Sequence, residues 1–116
     1  EKFLISGNGK QVRDVLHCSD VANLYFNAVL NIDKIAGQAF NIGGGVENSL
    51  SLLELFSILE DKLEVKLSFN SGPFRESDQL SFIADNSKIC GMIDWVPQID
   101  KISGIEDAIN WSRSSI

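Results

Sequence analysis

Very little in this sequence could close a catalytic cycle unaided. Its 116 residues include one histidine, one tyrosine, one methionine, two prolines and two cysteines. His17 alone, with Cys18 and Cys90 far apart, cannot supply the paired spacings of a zinc site. The two cysteines read as free thiols in a reducing compartment, so a cytoplasmic setting is expected. Basic residues are also scarce: 10 Lys and Arg stand against 16 Asp and Glu, a net charge of −6. That balance argues against the basic patch that nucleic acids or anionic membranes require. The only arginines are Arg13, Arg75 and Arg113. No apolar run approaches the roughly 20 residues of a membrane span, and no signal-peptide pattern opens the chain. The first residue is Glu1, not Met, so a piece of a longer polypeptide is expected.

What is present is enough to fold. A hydrophobic content of 44% with mean hydropathy +0.04 describes a soluble globular chain. One domain spanning residues 1–116 is expected. Lys2–Ser6 and Gln11–His17 read as short strands. Val21, Leu24, Tyr25, Ala28 and Val29 recur at helical spacing, which predicts a helix over about 21–31 with Tyr25 in its buried face. A loop follows to Gly37, then a buried strand over Gln38–Ile42. Ser51-Leu-Leu-Glu54 has the form of a capping box and predicts a helix through Leu63. Leu63–Phe69 alternates like a strand, and Ser71-Gly72-Pro73 ends it. Gln79–Ala84 is a further short strand, and Asp85 should cap a short helix through Ile93. A second capping-box pattern at Ser103–Glu106 should open the last helix. The fold class is therefore α/β, a small incomplete sheet with alternating helices.

The most informative stretch is Gly7–Asp20, GNGKQVRDVLHCSD. Two glycines allow positive φ in its opening turn. The extended run then carries a fixed cation, Arg13, beside backbone N–H groups, an arrangement suited to an anion and above all to phosphate. The ordinary alternative pairs Arg13 with Asp14 or another carboxylate. Gly43-Gly44-Gly45 follows a strand signal, but G-x-G-x-x-G fails because Asn48 stands at the last position. His17 has the right type for a general base and no evident partner.

G-x-G-x-Q-x-R-D-x-L-H-x-x-D before an amphipathic helix resembles the C-terminal part of extended short-chain dehydrogenase/reductase proteins, the nucleotide-sugar epimerases and dehydratases. AFNIGGGVENSLSLLEL (Ala39–Leu55), FRESDQLSFIADNSK (Phe74–Lys88) and the ending around Trp95-Val-Pro-Gln-Ile and Trp111 match in the same order. Within that family the NIGGGVENSLSLLEL wording is most similar to the CDP-paratose (CDP-tyvelose) 2-epimerase branch. The resemblance implies the substrate-binding part of a Rossmann-type enzyme that uses NAD and a Tyr/Lys pair elsewhere in the parent chain. Tyr25 is followed four residues on by Val29, so no catalytic residue and no NAD-binding residue is expected here, and the piece alone should be inactive. By position, the resemblance makes Arg13, Arg75 and Asp78 contacts to the nucleotide of a nucleotide-sugar substrate, with Gln11 a polar contact nearby. The family often reads R-P-G-D or R-P-S-D where this chain has Arg75-Glu76-Ser77-Asp78, and the Glu for Pro change should loosen that loop. Helices that would normally share a larger sheet should leave an apolar patch exposed, so self-association is expected. The alternative in another class is a non-enzymatic α/β module for interaction or nucleotide sensing.

Overall fold

The computed structural model describes residues 2–115. In chain order it contains β1 (Phe3–Ser6), β2 (Val12–Asp14), α1 (Cys18–Leu30), α2 (Ile32–Ile35), a 3-10 turn at Val46–Asn48, β3 (Ser49–Ser51), α3 (Leu52–Leu63), β4 (Phe69–Gly72), β5 (Ser81–Phe82), α4 (Ser87–Met92) and α5 (Lys101–Ser114). The chain is α/β, as expected. The residues up to Arg13 and Leu50–Phe82 form one compact unit; Asp14–Ser49 and the residues from Ile83 onward form a second. No described helix is long and apolar enough to cross a membrane.

The first unit is built on short parallel ladders. β1 pairs with β4 in register Phe3↔Phe69 to Ser6↔Gly72, and Val12 and Arg13 of β2 pair with Ser81 and Phe82 of β5. Phe56 of α3 packs its ring against Phe69 at 5.3 Å and Phe3 at 6.3 Å, anchoring the helix over the first ladder. The predicted capping box is present: Ser51 Oγ accepts from the Glu54 amide and Glu54 Oε2 accepts from the Ser51 amide. The start of α3 is further fastened to the Gly7–Lys10 turn, because the Leu53 amide donates to the Gly9 carbonyl. Gly7 and Gly9 take φ of +90° and +77°, as a turn through two glycines requires.

The strand predicted over Leu63–Phe69 is displaced, and β4 begins only at Phe69 and runs through Gly72. Glu60 is the reason. Its carbonyl accepts from the Val65 amide and its carboxylate accepts from the Leu67 amide at 2.9 Å. Both donors face back to α3, so neither can enter a ladder.

The second unit carries a core of Leu24, Ile35, Ile89, Ile93 and Trp95, with Leu16, Ala28, Phe40, Ile42, Cys90 and Met92 packed around it. Asp20, 1% exposed, organises one side of it. Its carboxylate accepts from the Gln98 and Ile99 amides, and its carbonyl from Trp95 Nε1, each at 3.0 Å. Asp20 is thus inside α1, which starts at Cys18 with His17 as its cap, three residues before the predicted start. Residues 31–37 contain the short α2 where a loop was expected. Gln38–Ile42 is irregular although Phe40 and Ile42 do pack on the core. Its backbone is engaged locally and by a side chain: the Gln38 amide donates to the Ile35 carbonyl and Lys88 Nζ donates to the Ala39 carbonyl, while Asn86 holds the Gly43 backbone that follows. With Asn86 at the cap position, α4 starts one residue later than predicted, and α5 opens at Lys101 under Asp100. Tyr25 is exposed, contrary to the expectation from helical spacing, because Leu24 and Ala28 fill the buried face.

Candidate functional site

Three of the four residues singled out in the sequence meet in the first unit. Arg13 Nη2 lies 3.2 Å from Asp78 Oδ1, and Arg75 Nη2 approaches the same oxygen at 3.8 Å. Arg13 Nη1 donates to the Val12 carbonyl, which fixes the guanidinium close to its own strand. Its carboxylate partner is therefore Asp78, 65 residues away in sequence, and not Asp14. Asp78 keeps only 9% of its side chain exposed, whereas Arg75 keeps 75%. The group is a nearly buried anion carrying two cations, one pinned and one free to swing. Arg13 and Arg75 outnumber Asp78 in this group, while Glu76 of the same loop brings the local sum to zero.

The Arg75-Glu-Ser-Asp78 loop is closed, not loose. The Asp78 amide donates to the Arg75 carbonyl, and the ion pair spans the same three-residue step. Ser77 takes φ of +61° to make this turn. That is the left-handed region a glycine occupies without strain, and the family pattern often supplies glycine there. A residue held in such a conformation beside a charged cluster is the kind of local strain that collects at binding sites.

Two buried acceptors in this unit have no hydrogen-bond partner among the described residues: Asp78 Oδ2 and Gln11 Oε1. Gln11 does not join the arginines. Its Nε2 donates to the Ser6 carbonyl at 2.5 Å. Phe74 was not singled out in the sequence, yet it closes the same corner. A Cβ on Gly7 would lie 2.4 Å from the Phe74 ring and 2.8 Å from Gln11 Nε2, so only glycine lets both side chains approach there. The signal for Phe74 was its adjacency to Arg75, which carries no information without the Gly7 turn. The amides of that turn are less available to an anion than the sequence suggested. Gly7 N–H donates to the Gly72 carbonyl and Lys10 N–H to Asn8 Oδ1. Chemically, the corner offers guanidinium donors to anionic oxygens and unpaired acceptors to hydroxyl or amine hydrogens.

The second unit has polar constellations of a different kind. Asp14 Oδ2 accepts from the Gly45 and Ala84 amides at 2.9 and 3.0 Å. A Cβ on Gly43 would lie 2.1 Å from that same oxygen, and one on Gly44 would lie 1.9 Å from the Val15 carbonyl oxygen. The glycine run thus serves close packing, and its Gly43 and Gly45 amides are held by Asn86 and Asp14. It does not fit a dinucleotide pyrophosphate. His17 does have a partner: Nε2 lies 3.3 Å from Asp107, while Nδ1 accepts from the Ser19 amide and caps α1. They border an apolar cavity of about 600 Å³ that also includes Ile99, Ile105 and Trp111. With Nδ1 committed to the cap, this imidazole is a structural link. Burial pushes the Cys90 thiol up from its ordinary value. Among the described residues no group of three His, Cys, Asp or Glu could hold a metal ion.

Known proteins resemble this chain in sequence and in fold. The model of the NAD dependent epimerase/dehydratase family matches residues 1–43. CDP-paratose 2-epimerase from Salmonella typhi is 54% identical over 112 residues, covering 97% of this chain and 33% of the relative. UDP-glucuronate 4-epimerase from Thermodesulfobacterium geofontis is 29% identical over the same shares. Among solved structures, a UDP-glucose 4-epimerase from Stenotrophomonas maltophila with bound NAD and formylated UDP-arabinopyranose aligns at TM-score 0.81 and 26% identity, over 98% of this chain and 35% of that one. A UDP-glucuronic acid 4-epimerase from Bacillus cereus, in complex with UDP-glucuronic acid and NAD, shares the fold at TM-score 0.90 and 23% identity, over 100% and 36%. The chain spans about a third of the length of the relatives it matches.

Proposed function

This chain belongs to the NAD-dependent epimerase/dehydratase family, and we propose that its first unit grips the nucleotide diphosphate of a nucleotide-sugar substrate. The observation that carries the reading is the Arg13–Asp78–Arg75 cluster, whose buried Asp78 Oδ2 has no partner. Guanidinium forks suit phosphate oxygens, and an unpaired carboxylate oxygen suits a ribose hydroxyl. A nucleoside diphosphate carries both. Gln11 Oε1, a second unpaired acceptor, takes a further hydroxyl or amine hydrogen from the same ligand once the corner opens to it.

The parent enzyme is an NAD-dependent isomerase acting on a CDP-sugar, the substrate class that the similarity to CDP-paratose 2-epimerase supports. NAD would be held by residues other than those described here, where it supplies reversible hydride acceptance. The residues of this chain bind and orient. Holding the non-reacting nucleotide end places the sugar, so that binding energy from a remote group serves the reacting carbon.

Calorimetry on the parent enzyme tests this reading. Arg13→Ala should weaken CDP-sugar binding by roughly ten- to a hundredfold, the loss of one charge-assisted contact of about 1.5–3 kcal/mol, with NAD affinity unchanged. Arg13→Lys should recover only part, because the planar fork is lost. Equal losses for CDP-sugar and NAD, together with a lower melting temperature, would make the arginine a structural partner of Asp78 and nothing more.

A further inference from the structure

On the basis of the diphosphate grip described above, we propose that Gln11 selects the base of the nucleotide. Its Oε1 accepts from the 4-amino group of cytosine, so the corner takes a cytidine diphosphate and disfavours a uridine diphosphate. Gln11 Nε2 donates to the Ser6 carbonyl at 2.5 Å. A carbonyl oxygen can only accept, so that bond settles which end of the amide faces which way. The other end, Oε1, is an acceptor that cannot exchange roles with Nε2 without breaking the Ser6 bond. It is buried and has no hydrogen-bond partner among the described residues. An acceptor left in that state costs free energy that a ligand hydrogen restores.

Position and neighbours make that hydrogen one of the base. Gln11 stands two residues before Arg13. On an extended run both side chains leave the same face, roughly 6.6 Å apart along the chain. With the phosphates on Arg13 and the ribose beyond them, the next group along a nucleotide is its base. Phe74 borders the same Gly7 turn as Gln11 and adjoins Arg75 in sequence. Its ring is 47% exposed, an aromatic face on which a base can stack. Stacking tolerates every base, whereas a fixed acceptor does not. Cytosine offers an amine hydrogen at position 4, where uracil has a carbonyl oxygen. Two acceptors facing each other leave both unpaired, and a site with a buried polar group to satisfy discriminates strongly against the ligand that cannot satisfy it.

Calorimetry of CDP and UDP on the NAD-loaded parent enzyme tests the assignment. CDP should bind roughly tenfold tighter than UDP, or more. The analogue of CDP with hydrogen in place of the amine should fall between them. Gln11→Met keeps the length and removes the acceptor, and should bring CDP and UDP within about threefold of each other. Phe74→Ala should weaken both about tenfold and leave their ratio alone. A Met variant that melts earlier but keeps the wild-type ratio would make Gln11 structural and overturn the proposal. So would tighter binding of UDP than of CDP, which puts Oε1 on the N3 hydrogen of uracil. If Arg13→Ala weakens CDP and UDP alike but the unaltered enzyme does not tell them apart, only the base assignment falls. If Arg13→Ala leaves both affinities unchanged, the diphosphate grip falls and the base assignment with it.

Discussion

Aspartates are used in opposite ways in the two units. In the second, Asp14 and Asp20 are each answered by two backbone amides, Gly45 and Ala84 for one, Gln98 and Ile99 for the other. Amides cannot move away or exchange, so these carboxylates fix chain segments that are distant in sequence. In the first unit, Asp78 is answered on one oxygen by two arginine side chains and on the other by no group among the described residues. Side-chain partners can turn to another anion, and an open oxygen invites a donor. A carboxylate closed by amides is architecture; one closed by guanidinium groups and left half open has an oxygen free for a donor, as the proposed role of Asp78 requires. The packing agrees. The buried hydrophobic residues of the first unit are Ile5 and Leu50, against Leu24, Ile35, Ala84, Ile89, Ile93 and Trp95 in the second.

The comparison breaks most readily at Asp20. Asp20→Ala removes the acceptor of two amides and should cost roughly 2–6 kcal/mol, since each buried donor left unpaired loses about 1–3 kcal/mol. Urea denaturation followed by Trp95 fluorescence measures it. Asp20→Asn keeps an acceptor oxygen and should recover part of the loss. A cost under about 1 kcal/mol would mean that water replaces the carboxylate, and the distinction between the two kinds of aspartate would fail.

The matching change in the first unit should move binding and not stability. Asp78→Asn keeps the shape but halves the acceptor capacity and removes the charge that holds Arg13 and Arg75. Affinity of the parent enzyme for a nucleotide-sugar should fall about threefold to tenfold, the worth of a neutral hydrogen bond near 1 kcal/mol. Affinity for inorganic pyrophosphate, which has no ribose hydroxyl, should hold or rise as the arginines are released. A fall for both ligands alike would assign Asp78 to holding the arginines in place.

These contrasts explain what could be read in advance. The α/β class, the Ser51 capping box and the cluster of Arg13 with Arg75 and Asp78 were legible, because caps are local and the R-D and R-x-x-D segments resemble a known family. The missing strands at 38–42 and 63–68 were not. Their apolar alternation is present, but Lys88 takes the Ala39 carbonyl and Glu60 takes the Val65 and Leu67 amides that a ladder would use, and a side chain's distant partner leaves no mark in sequence spacing. Tyr25 was misplaced for a related reason: its spacing is shared by a buried face and by an exposed apolar stripe. The Asp107 partner of His17 was invisible at a separation of 90 residues.

The smallest expected effect is at the helix caps of the second unit, and it is read by pH. Asp100 caps α5 and accepts from the Ser103 amide and hydroxyl; Asp85 stands before α4 and accepts from the Ser87 amide. For Asp100 the Ser103 amide bond, and for Asp85 the Ser87 side chain followed by its amide, hold the carboxyl below its ordinary value of 3.8. A depressed folded-state value means stability that is present above the unfolded value and is lost as pH falls through the folded one. Both carboxylates are fully exposed, so the contribution is small and screened by salt. At the α3 N-terminus of the first unit the side chain that accepts from the N3 amide is instead the Ser51 hydroxyl, with the Glu54 carboxylate returning to the Ser51 amide. Acid titration by amide chemical shift should therefore move the Ser87 and Ser103 signals with midpoints below 3.8. Asp100→Asn should abolish the Ser103 transition and leave that of Ser87 in place. A Ser103 midpoint at or above the ordinary value would show that the cap bond does not favour the charged form, and that the N-terminus of α5 is held by Lys101 on Asn48 and Ser49 alone.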